Sequence, residues 1–136
     1  MSRIPEVPAA VEIGKTVSVT DTVTENNTAR ALGSGSLDVF ATPAMAALME
    51  HAARECLSAA LTDGQTSVGA RINVAHTAAS PVGAEITATA AITGIDGRKV
   101  EFDVSAADGA GEVGKGTHTR YIVDAEKFMT KASGRR

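Results

Sequence analysis

Between residues 39 and 61 the chain reads VFATPAMAALMEHAARECLSAAL. Apolar residues recur there at helical spacing: Met45, Leu48, Met49, Ala52, Ala53, Cys56, Leu57 and Ala60. One face is therefore apolar, and the stretch is predicted to form the one long helix of the chain. Thr42 is the expected N-cap, followed by Pro43 at the first helical position, where a missing N–H loses no bond. Asp63-Gly64 is the expected stop. The stripe is rich in small residues, so a neighbour can pack close to it. At helical pitch Glu50 lies about 80° round from Thr42, on the rim of that stripe, and His51 points away from it.

Elsewhere the period is two. Residues 15–23 set Val17, Val19 and Val23 on one face and threonines on the other. Residues 67–76 alternate as Val68, Ala70, Ile72, Val74 and His76 against Gly69, Arg71, Asn73 and Ala75. Residues 85–95 turn Ile86, Ala88, Ala90 and Ile92 inward, and 99–107 answer with Val100, Phe102, Val104 and Ala106. Residues 112–123 form the last strand. Asp96-Gly97 and Asp108-Gly109 are hairpin turns, and 80–83 (SPVG) is a further turn. Residues 25–36 (ENNTARALGSGS) are polar and Gly-rich, hence a loop leading into the helix. Residues 37–40 are a possible short strand. Residues 124–131 are expected to form a short helical turn capped by Asp124 and anchored by Phe128.

One strand, a helix and then four strands make an α+β order, with a single antiparallel sheet of about five strands wrapped on one helix. No repeat or composition shift divides the chain, so residues 1–136 are expected to be one domain, with a loose arm at 1–12 and a frayed tail at 132–136. One sheet on one helix leaves a face or an edge uncovered. The small residues Gly114 and Gly116, and the Ala-rich stretch 87–91, suggest where a second copy packs, so a homodimer is expected.

Composition narrows the function. The net charge is −3, and three Phe and one Tyr are the only aromatics, so neither a basic face nor a stacking platform for nucleic acid is expected. The 136 residues contain no run apolar enough for a membrane span or a signal peptide. The lone Cys56 cannot form an internal disulfide, which fits a reducing cytoplasm. The three His and one Cys fall in no metal-ligand spacing. The GSGS at 33–36 lacks the lysine of a phosphate loop, and there is no GxSxG elbow.

The residues left with chemistry are Thr42, Glu50 and His76, with His118 and Arg120 on the last strand. Each has an ordinary role: Thr42 as helix cap, Glu50 paired with Arg54, His76 as a strand-end residue, and His118 and Arg120 as a solvated polar face. Together a hydroxyl, an imidazole and a carboxylate also make a nucleophile, a base and an orienter. The free N–H groups of Ala44 and Met45 at the helix start could steady an oxyanion.

Three segments carry a resemblance. VFATPAMAALMEHA, SVGARINVAHTAASPVG and GKGTHTR followed by EKF look like the fluoroacetyl-CoA thioesterase-like family of hotdog proteins, over residues 39–128. The resemblance implies a hotdog fold, dimers with a site near the subunit interface, and hydrolysis of a small or medium acyl-CoA without cofactor or metal. It matches Thr42, Glu50 and His76 to the family's catalytic triad, Gly69 to a backbone position beside the thioester, and Arg120 to a last-strand arginine near the site. The family's aromatic lid is missing: no aromatic precedes Phe40 in TARALGSGSLDV, so a mobile, open cover and weak selectivity for a fluoroacyl group are expected. Rival functions are a non-catalytic acyl-CoA-binding module and an enoyl-thioester hydratase or dehydratase.

Overall fold

The computed structural model describes Pro8 and residues 10–136. Most of the expected N-terminal arm lies outside these residues. Where it becomes describable it is held: Val11 is buried in the core.

The elements follow in the order β1 (Thr16–Thr22), α1 (Ala29–Leu32), α2 (Thr42–Ser58), β2 (Gln65–His76), β3 (Glu85–Asp96), β4 (Lys99–Asp108), β5 (Gly111–Asp124) and α3 (Ala125–Ser133). The five strands form one antiparallel sheet in the order β1-β3-β4-β5-β2. The expected strand and helix order holds. The inward sets on β3 and β4, Ile86, Ala88, Ala90, Ile92, Val100, Phe102, Val104 and Ala106, are all buried. Opposite them lie Met45, Leu48, Met49, Ala52, Ala53, Cys56 and Leu57 of α2. Each large side chain among these contributes about 1.5–3 kcal/mol by leaving water. The alanines let the layers close up, and Cys56 Sγ comes within 3.5 Å of the Ala90 carbonyl oxygen.

Several local expectations need correction. Ala41, not Thr42, is the N-cap of α2; Thr42 is already helical, and no side chain caps the helix. The helix stops at Ser58, before Asp63-Gly64. Gly64, with φ 83°, serves instead a turn in which the Gln65 N–H reaches the Thr62 carbonyl. The loop at 25–36 contains the helical turn α1, whose N-cap Thr28 accepts from the Ala31 N–H, with Gly33 left-handed after it. Residues 37–40 contribute only single bridges, Val39 to Pro81 and Phe40 to Thr28. Asp124 does cap α3, accepting from the Lys127 N–H at 2.9 Å, but the helix runs through Ser133 and so takes in part of the expected tail. Phe128 is exposed rather than part of the buried core, and lines a surface recess with Arg98 and Val123.

Gly114 and Gly116 are not at an edge. β5 lies between β4 and β2, and a side chain at Gly116 would collide with the Asn73 backbone. The Ala-rich stretch of β3 is likewise interior to the sheet. Among the described residues the sheet's edge strands are β1 and β2.

Candidate active site

Thr42 begins α2 and His76 ends β2. The fold brings these two ends together, and Thr42 Oγ1 lies 2.8 Å from His76 Nδ1. Phe40 is buried on the approach to the helix and meets the imidazole edge-on, with ring centroids 6.5 Å apart and an interplanar angle of 83°. The Phe40 N–H is itself tied to the Ser80 carbonyl, so the ring's neighbour is fixed through the backbone. His76 Nε2 is buried and has no hydrogen-bond partner. Burial pushes the His76 pKa below its ordinary value, and the nearby Ala78 backbone offsets part of that. The imidazole is therefore neutral near pH 7 and able to take a proton. A recess of about 270 Å³ opens over the pair, lined by Ala29, Ser34, Val39 and Phe40 among others. The Met45 N–H is not available to an oxyanion, because it bonds to the Ala41 carbonyl. Ala44, in the first turn, has no carbonyl one turn back to receive its N–H.

A second cluster forms where α2 passes the start of β2. Glu50 pairs with Arg120 rather than with Arg54: Glu50 Oε2 lies 3.8 Å from Arg120 Nη1, while Arg54 pairs with Glu55. The partners differ in exposure, with 7% of the Arg120 side chain accessible and 41% of Glu50, so the pair is only half shielded from water. His118 and Arg120 are both buried, against the expected solvated face. The even positions of β5 explain this, since His118 and Arg120 share their face with the core residue Ile122. Burial depresses the His118 pKa, and the Arg120 charge adds to that. Burial also works against the charge on Arg120, and Glu50 supports it.

Gly69 sits at the centre of this cluster. The β2–β5 register slips between Gly69 and Arg71, leaving Ala70 as an extra residue. Such a bulge flips the alternation. Gly69 thus faces α2, and the expected face of Val68 with Ile72 is broken. A Cβ on Gly69 would stand 2.5 Å from Glu50 Oε2, 3.3 Å from His118 Cε1 and 3.4 Å from Arg120 Nη1. Ser67 and His118 complete the cluster; the sequence gives no sign of Ser67, and it marks His118 as a residue with chemistry but with a solvated role, although the shared even register with Ile122 was a usable signal of its burial.

Glu50 lies two helical turns beyond Thr42, about 12 Å along the axis. The chain therefore carries two separate polar clusters: Thr42 with His76 at one end of β2, and Glu50, Gly69 and Arg120 further back along it. The first has a hydroxyl and a neutral base, the second a carboxylate and a guanidinium around bare backbone. Among the described residues no group of His, Cys, Asp and Glu is arranged to hold a metal ion. No helix there is long and apolar enough to cross a membrane.

Residues 23–126 match the family model described as fluoroacetyl-CoA-specific thioesterase. A protein of Streptantibioticus cattleyicolor described as fluoroacetyl-CoA thioesterase is 44% identical over 94 residues, covering 69% of this chain and 68% of its own. The solved structure of the fluoroacetyl-CoA thioesterase FlK superposes with a TM-score of 0.87 at 35% identity, over 92% of this chain and 97% of that one. A hot-dog-like protein of Thermanaerovibrio acidaminovorans shares the fold, with a TM-score of 0.85 at 24% identity over 93% of each chain.

Proposed function

The chain belongs to the fluoroacetyl-CoA-specific thioesterase family, thioester hydrolases of the hotdog fold, and we propose that it hydrolyses small or medium acyl-CoA thioesters with Thr42, His76 and Glu50 as its catalytic set. The observation that carries this reading is the 2.8 Å contact between Thr42 Oγ1 and His76 Nδ1 beneath an open recess.

His76 Nδ1 takes the proton from the Thr42 hydroxyl, or from a water beside it, as the oxygen attacks the thioester carbonyl. The Gly69 N–H, or the Ala44 N–H at the helix start, steadies the oxyanion. The C–S bond then breaks and the CoA thiolate takes the proton from His76. Where Thr42 is the nucleophile, a water repeats the cycle on the acyl-threonine. Arg120 binds near the acyl group. No step calls for a metal or a cofactor.

For Nδ1 to accept from Thr42, the ring proton must sit on Nε2, and a buried N–H without an acceptor costs about 1–3 kcal/mol. A carboxylate is the partner that would hold this tautomer, and Glu50 of the same chain faces Arg120 and Gly69 instead. A homodimer resolves this. The twelve-residue β2 is an edge strand, suited to pair with its own copy about a two-fold axis. An antiparallel β2 pair sets the His76 end of one subunit beside the partner's strand start, towards its Glu50. The buried free thiol of Cys56 fits a reducing cytoplasm.

We further propose weak discrimination between fluoroacetyl and acetyl groups. Ahead of Val39 and Phe40, the segment before α2 lines the recess with Ala29 and Ser34 and with no further aromatic ring. A pocket differing by one small substituent supplies only about 1–3 kcal/mol even when well packed. The test is a panel of acyl-CoAs followed by free thiol and by enoyl absorbance. Thiol release at similar kcat/KM across short acyl groups is expected. Binding without thiol release would favour a non-catalytic module, an enoyl signal a hydratase, and a preference for fluoroacetyl-CoA of several thousand-fold would refute the open-pocket reading.

A further inference from the structure

We propose that His118 is a positioning residue: its ring fixes the Arg120 guanidinium, which in turn sets the Glu50 carboxylate beside Gly69. This rests on the hydrolase reading above, since that reaction is what requires Glu50 to be held. His118 Nδ1 lies 2.7 Å from the Arg71 carbonyl oxygen. A carbonyl only accepts, so Nδ1 carries the proton and Nε2 presents a lone pair. That lone pair faces Arg120 Nη1 at 3.4 Å, and a guanidinium only donates. The ring cannot easily turn away, because it stacks on Phe102 with centroids 5.8 Å apart and planes at 29°.

The opposite side of the fork is held by Ser67. Arg120 Nε donates to Ser67 Oγ at 2.9 Å and Nη2 to the Ser67 carbonyl at 3.0 Å. With Nε and Nη2 so engaged, Nη1 is directed between His118 and Glu50. The glutamate, glycine, histidine and arginine meet at one point, as the space beside Gly69 shows. Around the imidazole stand Arg120 on β5, Glu50 on α2 and Glu101 on β4. A second proton on the ring would aim an N–H at Arg120 and break the contact, so His118 works in its neutral form.

Two substitutions separate the ring's two bonds. His118→Asn places an amide nitrogen near the Nδ1 position and leaves Arg120 unmet. His118→Gln places an amide oxygen near the Nε2 position and can still accept from Arg120. The Asn variant is expected to lose about tenfold or more in kcat, the scale of a misplaced catalytic group, with KM little changed and the Gln variant recovering most of the loss. A purely structural histidine would lower the melting temperature of both without this split. Equal losses in both variants, or an Asn variant with wild-type kcat, would overturn the proposal. A measurement on the unmodified protein guards against variants that do not fold: imidazole nitrogen NMR at pH 7 should show His118 protonated on Nδ1 alone, and a proton on Nε2 would overturn the proposal. Wild-type protein that releases no thiol from any acyl-CoA would count against the hydrolase reading, whereas normal wild-type turnover with an unimpaired Asn variant counts against His118 alone.

Discussion

Thr42 and His76, 34 positions apart in the chain, meet through a side-chain hydrogen bond of 2.8 Å. Because Thr42 is not the helix cap, its hydroxyl is free of the usual N-terminal duty and is committed to the imidazole. Thr42→Ala should therefore spare the roughly 1 kcal/mol that loss of a cap costs. Turnover should fall steeply, with Thr42→Ser between the variant and wild type. Paired melting curves and thiol-release rates check this. An Ala variant that melts early yet keeps its turnover would reduce Thr42 to a structural role.

Burial lowers the pKa values of both His76 and His118. A folded-state value below the unfolded one, about 6.5, means that the unfolded chain binds protons first as the pH falls. The stability from these two neutral rings is thus complete above that value and is lost as the medium becomes more acid. Melting temperature should fall between about pH 7 and pH 5, before the ordinary carboxylate range is reached. Melting temperature that is flat or rising across that window would contradict the burial of the two rings.

Gly69→Ala adds a Cβ 2.5 Å from Glu50 Oε2. That atom ends a flexible, half-exposed side chain, so Glu50 should swing aside and the fold survive. We expect a melting temperature near wild type with kcat lowered by about tenfold or more, since a displacement of about 1 Å can cost a hundredfold. An active Gly69→Ala protein would show that the position of Glu50 is immaterial.

Mixing two inactive variants tests the two-subunit site. In a heterodimer of Thr42→Ala with Glu50→Gln, one site carries both lesions and the other carries none. If Glu50 acts across the interface, random assortment should restore about a quarter of wild-type activity, as one intact site in half of the dimers. Mixtures as inactive as their components would place all three groups in one subunit, and a monomeric mass by light scattering would exclude the interface altogether.

The architecture was legible because periodicity is a local property. The inward sets of β3 and β4 and the buried face of α2 follow from spacing alone. The N-cap was misread because Thr-Pro is a good start signal in isolation, and the bond to His76 that redirects the hydroxyl is non-local. The Ala70 bulge was hidden for the same reason: strict alternation through residues 67–76 gives no sign of the extra residue, which exists only relative to β5. Gly114 and Gly116 looked like edge positions until the sheet order put β5 inside. Of the site, the residue types were visible in the chain and in its resemblance to known thioesterases, but their separation into two clusters was not. It depends on where β2 crosses α2.

On the proposed reading His76 is the base of a thioester hydrolase. The most direct measurement is the rate of thiol release from acetyl-CoA by wild-type protein and by His76→Ala, side by side and with matched melting curves. Wild-type turnover should be measurable, and kcat should fall by about a hundredfold or more in a variant that remains folded. Equal turnover by the two proteins would contradict it.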